Sequence, residues 1–268
     1  MESPQSEFKS STRLNLRHNS PSIERMNTQF FGGPITRTVK ALIVVNVVVF
    51  LLQIFSYLAR SLFVMEYFSL VPEYITSDFR IWQFVSYMFL HSISPPFFHI
   101  LFNMLMLFMF GNELERYWGS RRFLTYYFIT GIGAGFSSWL VSPHSIVPII
   151  GASGAIYGLL LAYGLIYPNR VILLGFLFPI KAKWLVLFMG AIAFLSSLTD
   201  PNAGIAHVAH LGGMVFGYLF LKGKGWMGKY QYYNKQRQHE QLKKQFELYY
   251  GDVRRKIEQD KKKGPTIH

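Results

Sequence analysis

The 268-residue chain has no cysteine, and only 15% of its residues are charged, against about 25% in soluble domains. Without cysteine there is no disulfide framework, no thiolate nucleophile and no Cys-ligated zinc or iron–sulfur cluster. Acidic residues are scarcest: 14 Asp and Glu face 27 Lys and Arg, a formal net charge of +13. Such basicity alone would suit nucleic acid, but 51% hydrophobic content and a mean hydropathy of +0.22 do not, so nucleic acid is set aside as a partner. The first residues lack the apolar core and small-residue cleavage site of a signal peptide. No internal repeat of roughly 20 to 50 residues is evident.

Apolar length is what the chain does have. Six windows approach the roughly 20 apolar residues that cross a bilayer, a number that shrinks where the membrane thins. They run from Ala41 to Leu58, His99 to Leu114, Phe123 to Val141, Ala152 to Tyr167, Trp184 to Leu198 and Ala206 to Leu221. Val171 to Ile180 is also apolar but is broken by Pro179. With six spans and both termini in the cytoplasm, every Lys and Arg except Arg60 and Arg80 falls on the cytoplasmic side, as the positive-inside rule requires. The fold class is therefore an all-α membrane protein, a six-helix bundle with a long outer first loop, residues 59–98.

Three regions follow. Residues 1–36, rich in Ser, Asn, Thr and Arg and ending near Gly32-Gly33-Pro34, read as a flexible cytoplasmic arm. Residues 37–222 form the membrane core. Residues 223–268 are a basic tail in which Leu242, Phe246, Tyr249, Val253 and Ile257 recur at helical spacing, interrupted by Gly251. That pattern fits an amphipathic surface helix, either a solvated tail that fixes topology or one that contacts anionic lipid.

Polar residues inside spans mark candidate function, because burying them in a bilayer is costly. Asn46 is read as a structural hydrogen bonder between helices. His99 and Asn103 share one face at i and i+4 near the outer start of the second span. Ser153 opens the fourth span, and His207 and His210 lie in the first turns of the sixth. Three helices thus bring polar groups to one level below the outer surface. Ser153 sits in Gly151-Ala152-Ser153-Gly154, at a helix start where N–H groups are unpaired and the dipole is positive, a place that stabilises an oxyanion. A serine between glycines also occurs in ordinary helix packing. Gly154-xxx-Gly158 and Ala209-xxx-Gly213-xxx-Gly217 add small faces that allow the close approach a Ser–His hydrogen bond needs. Three imidazoles, His99, His207 and His210, could hold zinc, but no carboxylate or HExxH pattern accompanies them.

Four motifs together resemble the rhomboid family of intramembrane serine proteases across about residues 39–222. They are His99-Ile100-Leu101-Phe102-Asn103; Glu115 to Gly119 continuing into Arg122-Phe123-Leu124; Gly151 to Gly154 with Tyr157; and Ala209-His210-Leu211-Gly212-Gly213. The resemblance implies a Ser–His dyad with Ser153 as nucleophile and His210 as base. It implies an oxyanion site made by His99, Asn103 and the Ser153 backbone N–H, with Tyr157 against the imidazole and Gly151, Gly154 and Gly213 in support. His207, nearer water, reads as an interfacial histidine. No third acid is evident, since Glu113 and Glu115 lie at the cytoplasmic end of the second span and Asp200 in a loop.

The outer loop holds Phe63, Tyr67, Phe68, Trp82, Phe84, Tyr87 and Phe89, read as aromatic anchors in the outer leaflet. By resemblance it is the family's membrane-embedded first loop, but the usual Trp-Arg pair is Trp82-Gln83 here, which puts local ion pairing in doubt. His91 is read as structural. The implied substrates are transmembrane proteins that unwind locally to expose a peptide bond, and no metal, nucleotide or organic cofactor is implied. The expected location is a bacterial inner membrane, with the site open to the extracytoplasmic side. The alternative is a silent rhomboid-like protein that binds membrane clients without cutting them.

Overall fold

The computed structural model describes residues 34–174, 178–199 and 204–223, with scattered positions between 240 and 258. Long helices dominate. The first, α1 (Arg37–Leu58), is apolar almost throughout and exposes Val44, Val48, Leu51, Leu52 and Phe55, while burying its two mid-helix amides, Asn46 and Gln53. The outer loop then folds into α2 (Phe63–Phe68), α3 (Pro72–Asp78), α4 (Gln83–Ser86) and a 3-10 turn at Tyr87–Phe89. A continuous rod follows, made of α5 (Phe98–Met106), a π-helical segment Leu107–Gly111 and α6 (Asn112–Trp118). The remaining helices are α7 (Ser120–Val141), α8 (Ser153–Ile166), α9 (Ala182–Thr199) and α10 (Gly204–Lys222). Among the described residues α1 and α9 are each long and apolar enough to cross a membrane.

Small residues bring the central helices together. A methyl on Gly158 of α8 would meet Thr130 of α7, and one on Gly217 of α10 would meet the Tyr126 ring of α7. Close packing of backbones in this way is how helices associate without a water-driven hydrophobic effect. The core beneath α8 is built from Tyr87, Phe123, Tyr126, Tyr127, Ala155 and Leu159.

Two expectations are modified here. The fold is not wholly helical, because Val171–Leu174 (β1) and Phe178–Lys181 (β2) pair as an antiparallel hairpin. β-Branched residues favour strand, and Pro179, which lacks an N–H and clashes in a helix interior, bars the run from extending α9. Thr36, assigned above to the flexible arm, is anchored, with its N–H donating to Asn112 Oδ1 at 2.9 Å. Residues 1–33 of the arm lie outside the described residues, as does Ile257 of the tail; Leu242, Phe246 and Tyr249 are helical and exposed. The Asn46 amide donates to Leu42 O at 2.8 Å within α1 itself.

A single carboxylate fastens the start of α1. Glu115, just beyond the expected second span, accepts the N–H groups of Thr38 (3.1 Å) and Val39 (2.9 Å) and the hydroxyls of Thr36 and Ser120. Burial raises its carboxyl, but these donors more than offset it and hold it at about 2.

Candidate active site

The chain turns into α8 through Gly151, whose φ of +118° is open to glycine and strained for other residues. Its N–H donates to Tyr87 O at 2.9 Å, pinning the turn to the outer loop. The first helical bond runs from Ile156 N–H to Ala152 O, so the preceding N–H groups, including that of Ser153, have no acceptor within the helix. Ser153 Oγ lies 2.8 Å from His210 Nε2. With the hydroxyl donating to Nε2, the proton of the neutral ring resides on Nδ1. That Nδ1 is buried without a hydrogen-bond partner among the described residues.

Tyr157, one turn after Ser153, lies flat on His210 with ring centroids 4.3 Å apart and planes 3° from parallel. His207 meets the same imidazole nearly edge-on at 5.7 Å. The approach of α10 to α8 depends on Gly213, where a methyl would overlap the Gly154 carbonyl, and that of α7 to α8 on Gly154, where one would overlap Ala134.

His99 reaches the same place from α5. Its Nε2 would be 2.8 Å from a Cβ at Gly151, and Ser153 Oγ would be 3.7 Å from that point, so both flank the Gly151 α-carbon. The Ser92 N–H donates to His99 Nδ1 at 3.2 Å, which leaves the ring proton on Nε2, the nitrogen that lies against Gly151. Asn103 is buried, and its amide donates to His99 O at 2.7 Å. The structure thus brings Ser153, His210, Tyr157, Gly151 and His99 together, with Asn103 one turn below His99. Glu113 is engaged elsewhere, accepting Arg170 at 2.7 Å, and Asp200 lies outside the described residues.

The outer loop differs from its reading as a row of anchors. Phe63, Tyr67 and Trp82 are exposed, but Tyr87 is fully buried, its hydroxyl donating to Gly131 O at 2.7 Å. The bundle offers the Tyr87 hydroxyl an acceptor that the hydrocarbon of a bilayer lacks. The Trp82-Gln83 departure resolves into neutral hydrogen bonds. Gln83 is fully buried, accepts the Val71 N–H at 3.0 Å and donates to Tyr67 O at 3.3 Å, while Trp82 Nε1 donates to Tyr67 O at 3.0 Å. The sequence reading passed over Gln53 and Ser92. A glutamine within an apolar span is itself the signal that would have drawn attention to Gln53. His91, fully buried, packs its ring 5.2 Å from that of His99; burial and the neighbouring imidazole lower it to about 4.

The rhomboid domain family model matches residues 78–224, more than half of the chain and all of the site just described. The chain belongs to the rhomboid family. It is accordingly an integral membrane protein, mostly helical. It is 34% identical over 200 residues to Rhomboid protein 1, mitochondrial, of Saccharomyces cerevisiae, covering 70% of this chain and 52% of that protein. It is 33% identical over 138 residues to the putative rhomboid protease YdcA of Bacillus subtilis, covering 52% of this chain and 64% of that one. With Rhomboid protease GlpG of Haemophilus influenzae it shares 28% identity over 190 residues, covering 70% of this chain and 89% of the relative. The chain thus spans roughly half to two thirds of the first two relatives.

Proposed function

We propose that this rhomboid is an intramembrane serine endopeptidase that hydrolyses peptide bonds in or near transmembrane segments of other membrane proteins. The observation that carries the reading is the 2.8 Å contact between Ser153 Oγ and His210 Nε2 at the N-terminus of α8. Ser153 Oγ attacks the peptide carbonyl carbon as its proton passes to His210 Nε2. The oxyanion is held by His99 Nε2–H, the Asn103 amide and the Ser153 backbone N–H, donors of a kind each worth roughly 3 to 4 kcal/mol in the transition state. Collapse breaks the C–N bond, and the leaving amine takes the proton from His210. Water then attacks the acyl ester, returns a proton through His210, and leaves a carboxylate and free Ser153.

Tyr157 keeps the imidazole in line with the Ser153 hydroxyl that donates to it, while Gly151, Gly154 and Gly213 let the three helices close around it. A substrate helix must unwind, because its carbonyls are already hydrogen-bonded.

In this reading the core has six spans and both termini in the cytoplasm, as the placement of Lys and Arg supports. Fourteen residues make α8 about 21 Å long, short of the roughly 30 Å hydrocarbon core, so a helix ending at the cytoplasmic face begins below the outer surface. The site then opens to the extracytoplasmic side. Residues 1–36 and 223–268 flank this core, and the tail, with Leu242, Phe246 and Tyr249 exposed amid basic residues, contacts anionic lipid. We assign a bacterial inner membrane; a mitochondrial membrane, as in the name of the yeast relative, is the second reading, with the same bundle.

Cleavage of a model transmembrane substrate by wild type and by Ser153→Ala in proteoliposomes tests the proposal. Products from wild type alone are expected. Binding of the substrate without cleavage by either protein would replace the protease with a client-binding rhomboid.

A further inference from the structure

Gln53 of α1 lies outside the part of the chain that the rhomboid domain matches, in a helix that contributes none of the site residues, and is 2% exposed. Both ends of its amide are used by one residue of the outer loop. Nε2 donates to His91 O and Oε1 accepts the His91 N–H, each at 3.0 Å, and Nε2 also lies 3.1 Å from Met65 Sδ. A two-way bond of this kind fixes both the position and the tilt of the peptide it holds. The next N–H along the chain, that of Ser92, is the one that donates to His99 Nδ1. Residues 94–98 beyond it are exposed, so the segment between His91 and His99 is held at its first residue.

We infer that Gln53 is a positioning residue for the oxyanion donor His99: it clamps the His91–Ser92 backbone so that the Ser92 N–H keeps the His99 proton on Nε2, the nitrogen beside Gly151. The two tautomers of a neutral imidazole are distinguished by the hydrogen bond each nitrogen makes, and here that bond comes from a backbone N–H whose place is set by a different membrane helix. The inference rests on the oxyanion role proposed above for His99.

A double-mutant cycle tests it. Gln53→Leu, His99→Ala and the double variant are compared with wild type for kcat and KM on a transmembrane substrate in proteoliposomes. Gln53→Leu lowers kcat roughly 10- to 100-fold through misplacement and leaves KM unchanged. His99→Ala lowers kcat roughly 100- to 1,000-fold. The double variant is no slower than His99→Ala alone, because Gln53 has nothing left to position. Multiplied losses, or a Gln53→Leu variant as fast as wild type, overturn the inference; a His99→Ala variant as fast as wild type overturns the oxyanion reading instead. Should Gln53→Leu not fold, Gln53→Asn, one methylene short of His91, takes its place. Gln53→Glu, whose neutral carboxyl offers the same donor and acceptor, restores kcat in acidic buffer relative to wild type at the same pH, and failure of the folded variant to do so counts against the clamp. Ring-15N NMR of His99 reads the tautomer directly: Nε2–H in wild type, a mixture in Gln53→Leu. An unchanged tautomer also overturns the inference.

Discussion

A methyl group at Gly213 would test how closely the Ser–His geometry depends on helix contact. The Cβ of Gly213→Ala would overlap the Gly154 carbonyl oxygen and lie 2.9 Å from its carbon and 3.4 Å from the Gly154 α-carbon. These are backbone atoms in the first turn of α8, so they cannot swing aside as a side chain can. Restoring carbon contacts of about 3.5 to 4.0 Å parts the helices by roughly 1 Å. His210 lies three residues before Gly213 on α10, and Ser153 adjoins Gly154, so most of the displacement falls on the 2.8 Å hydrogen bond between them. A shift of about 1 Å costs roughly 100-fold in rate, and overpacking costs about 1 to 3 kcal/mol of stability. The assay pairs kcat on a transmembrane substrate with thermal unfolding in the same detergent. Gly190→Ala on α9 is the control, since its nearest neighbours are the flexible end of Met214 at 3.5 and 3.6 Å. A Gly213→Ala enzyme within twofold of wild type, or an equal loss from Gly190→Ala, would refute the reasoning.

Tyr157→Ala removes the ring stacked on His210 and should lower kcat about 3- to 10-fold, the worth of an aromatic pair, while Tyr157→Phe keeps the stack and the rate; equal losses in both variants would count against stacking. Because the Glu115 carboxyl is depressed, its contribution is present above the unfolded value of about 4 and is lost as pH falls through about 2. Melting temperature should therefore fall from pH 5 to pH 2 in wild type but less in Glu115→Gln, and parallel curves would contradict the cap. Gln83→Leu strands the Val71 N–H, while the Tyr67 carbonyl keeps Trp82 Nε1, at a cost of about 1 to 3 kcal/mol, and should speed proteolysis within residues 59–98; an unchanged cleavage rate would show that the Gln83 amide does not hold the loop.

The legible parts of the site are those where a polar residue interrupts an apolar run. Ser153, His99, Asn103 and His210 stand out because each is expensive in a bilayer, whereas Tyr157 is picked out by the family resemblance, one helical turn after Ser153. The helices are legible for a related reason, since an apolar stretch of about 20 residues has few other uses. Contacts set by irregular backbone are not legible. Nothing in the order of residues shows that Tyr87 supplies a carbonyl to Gly151, or that the Gln53 amide meets His91 across 38 positions. Composition misleads in the outer loop, where seven aromatics look alike but Tyr87 is buried and Phe63 is exposed. The hairpin of β1 and β2 was hidden for a similar reason: apolar runs of helix and strand cannot be told apart by hydrophobicity, and only Pro179 hinted at the break. Trp82-Gln83 looked like a lost ion pair, yet a neutral amide satisfies the same loop backbone.

The central claim is that Ser153 is a nucleophile activated by His210. The most direct measurement is reaction of the purified protein with a fluorophosphonate in mild detergent, followed by intact mass and peptide mapping. A single adduct on Ser153 is predicted in wild type, lost in Ser153→Ala and slowed at least about 100-fold in His210→Ala. A folded wild-type protein that gains no adduct, or gains one at another residue with Ser153 unmodified, would contradict it.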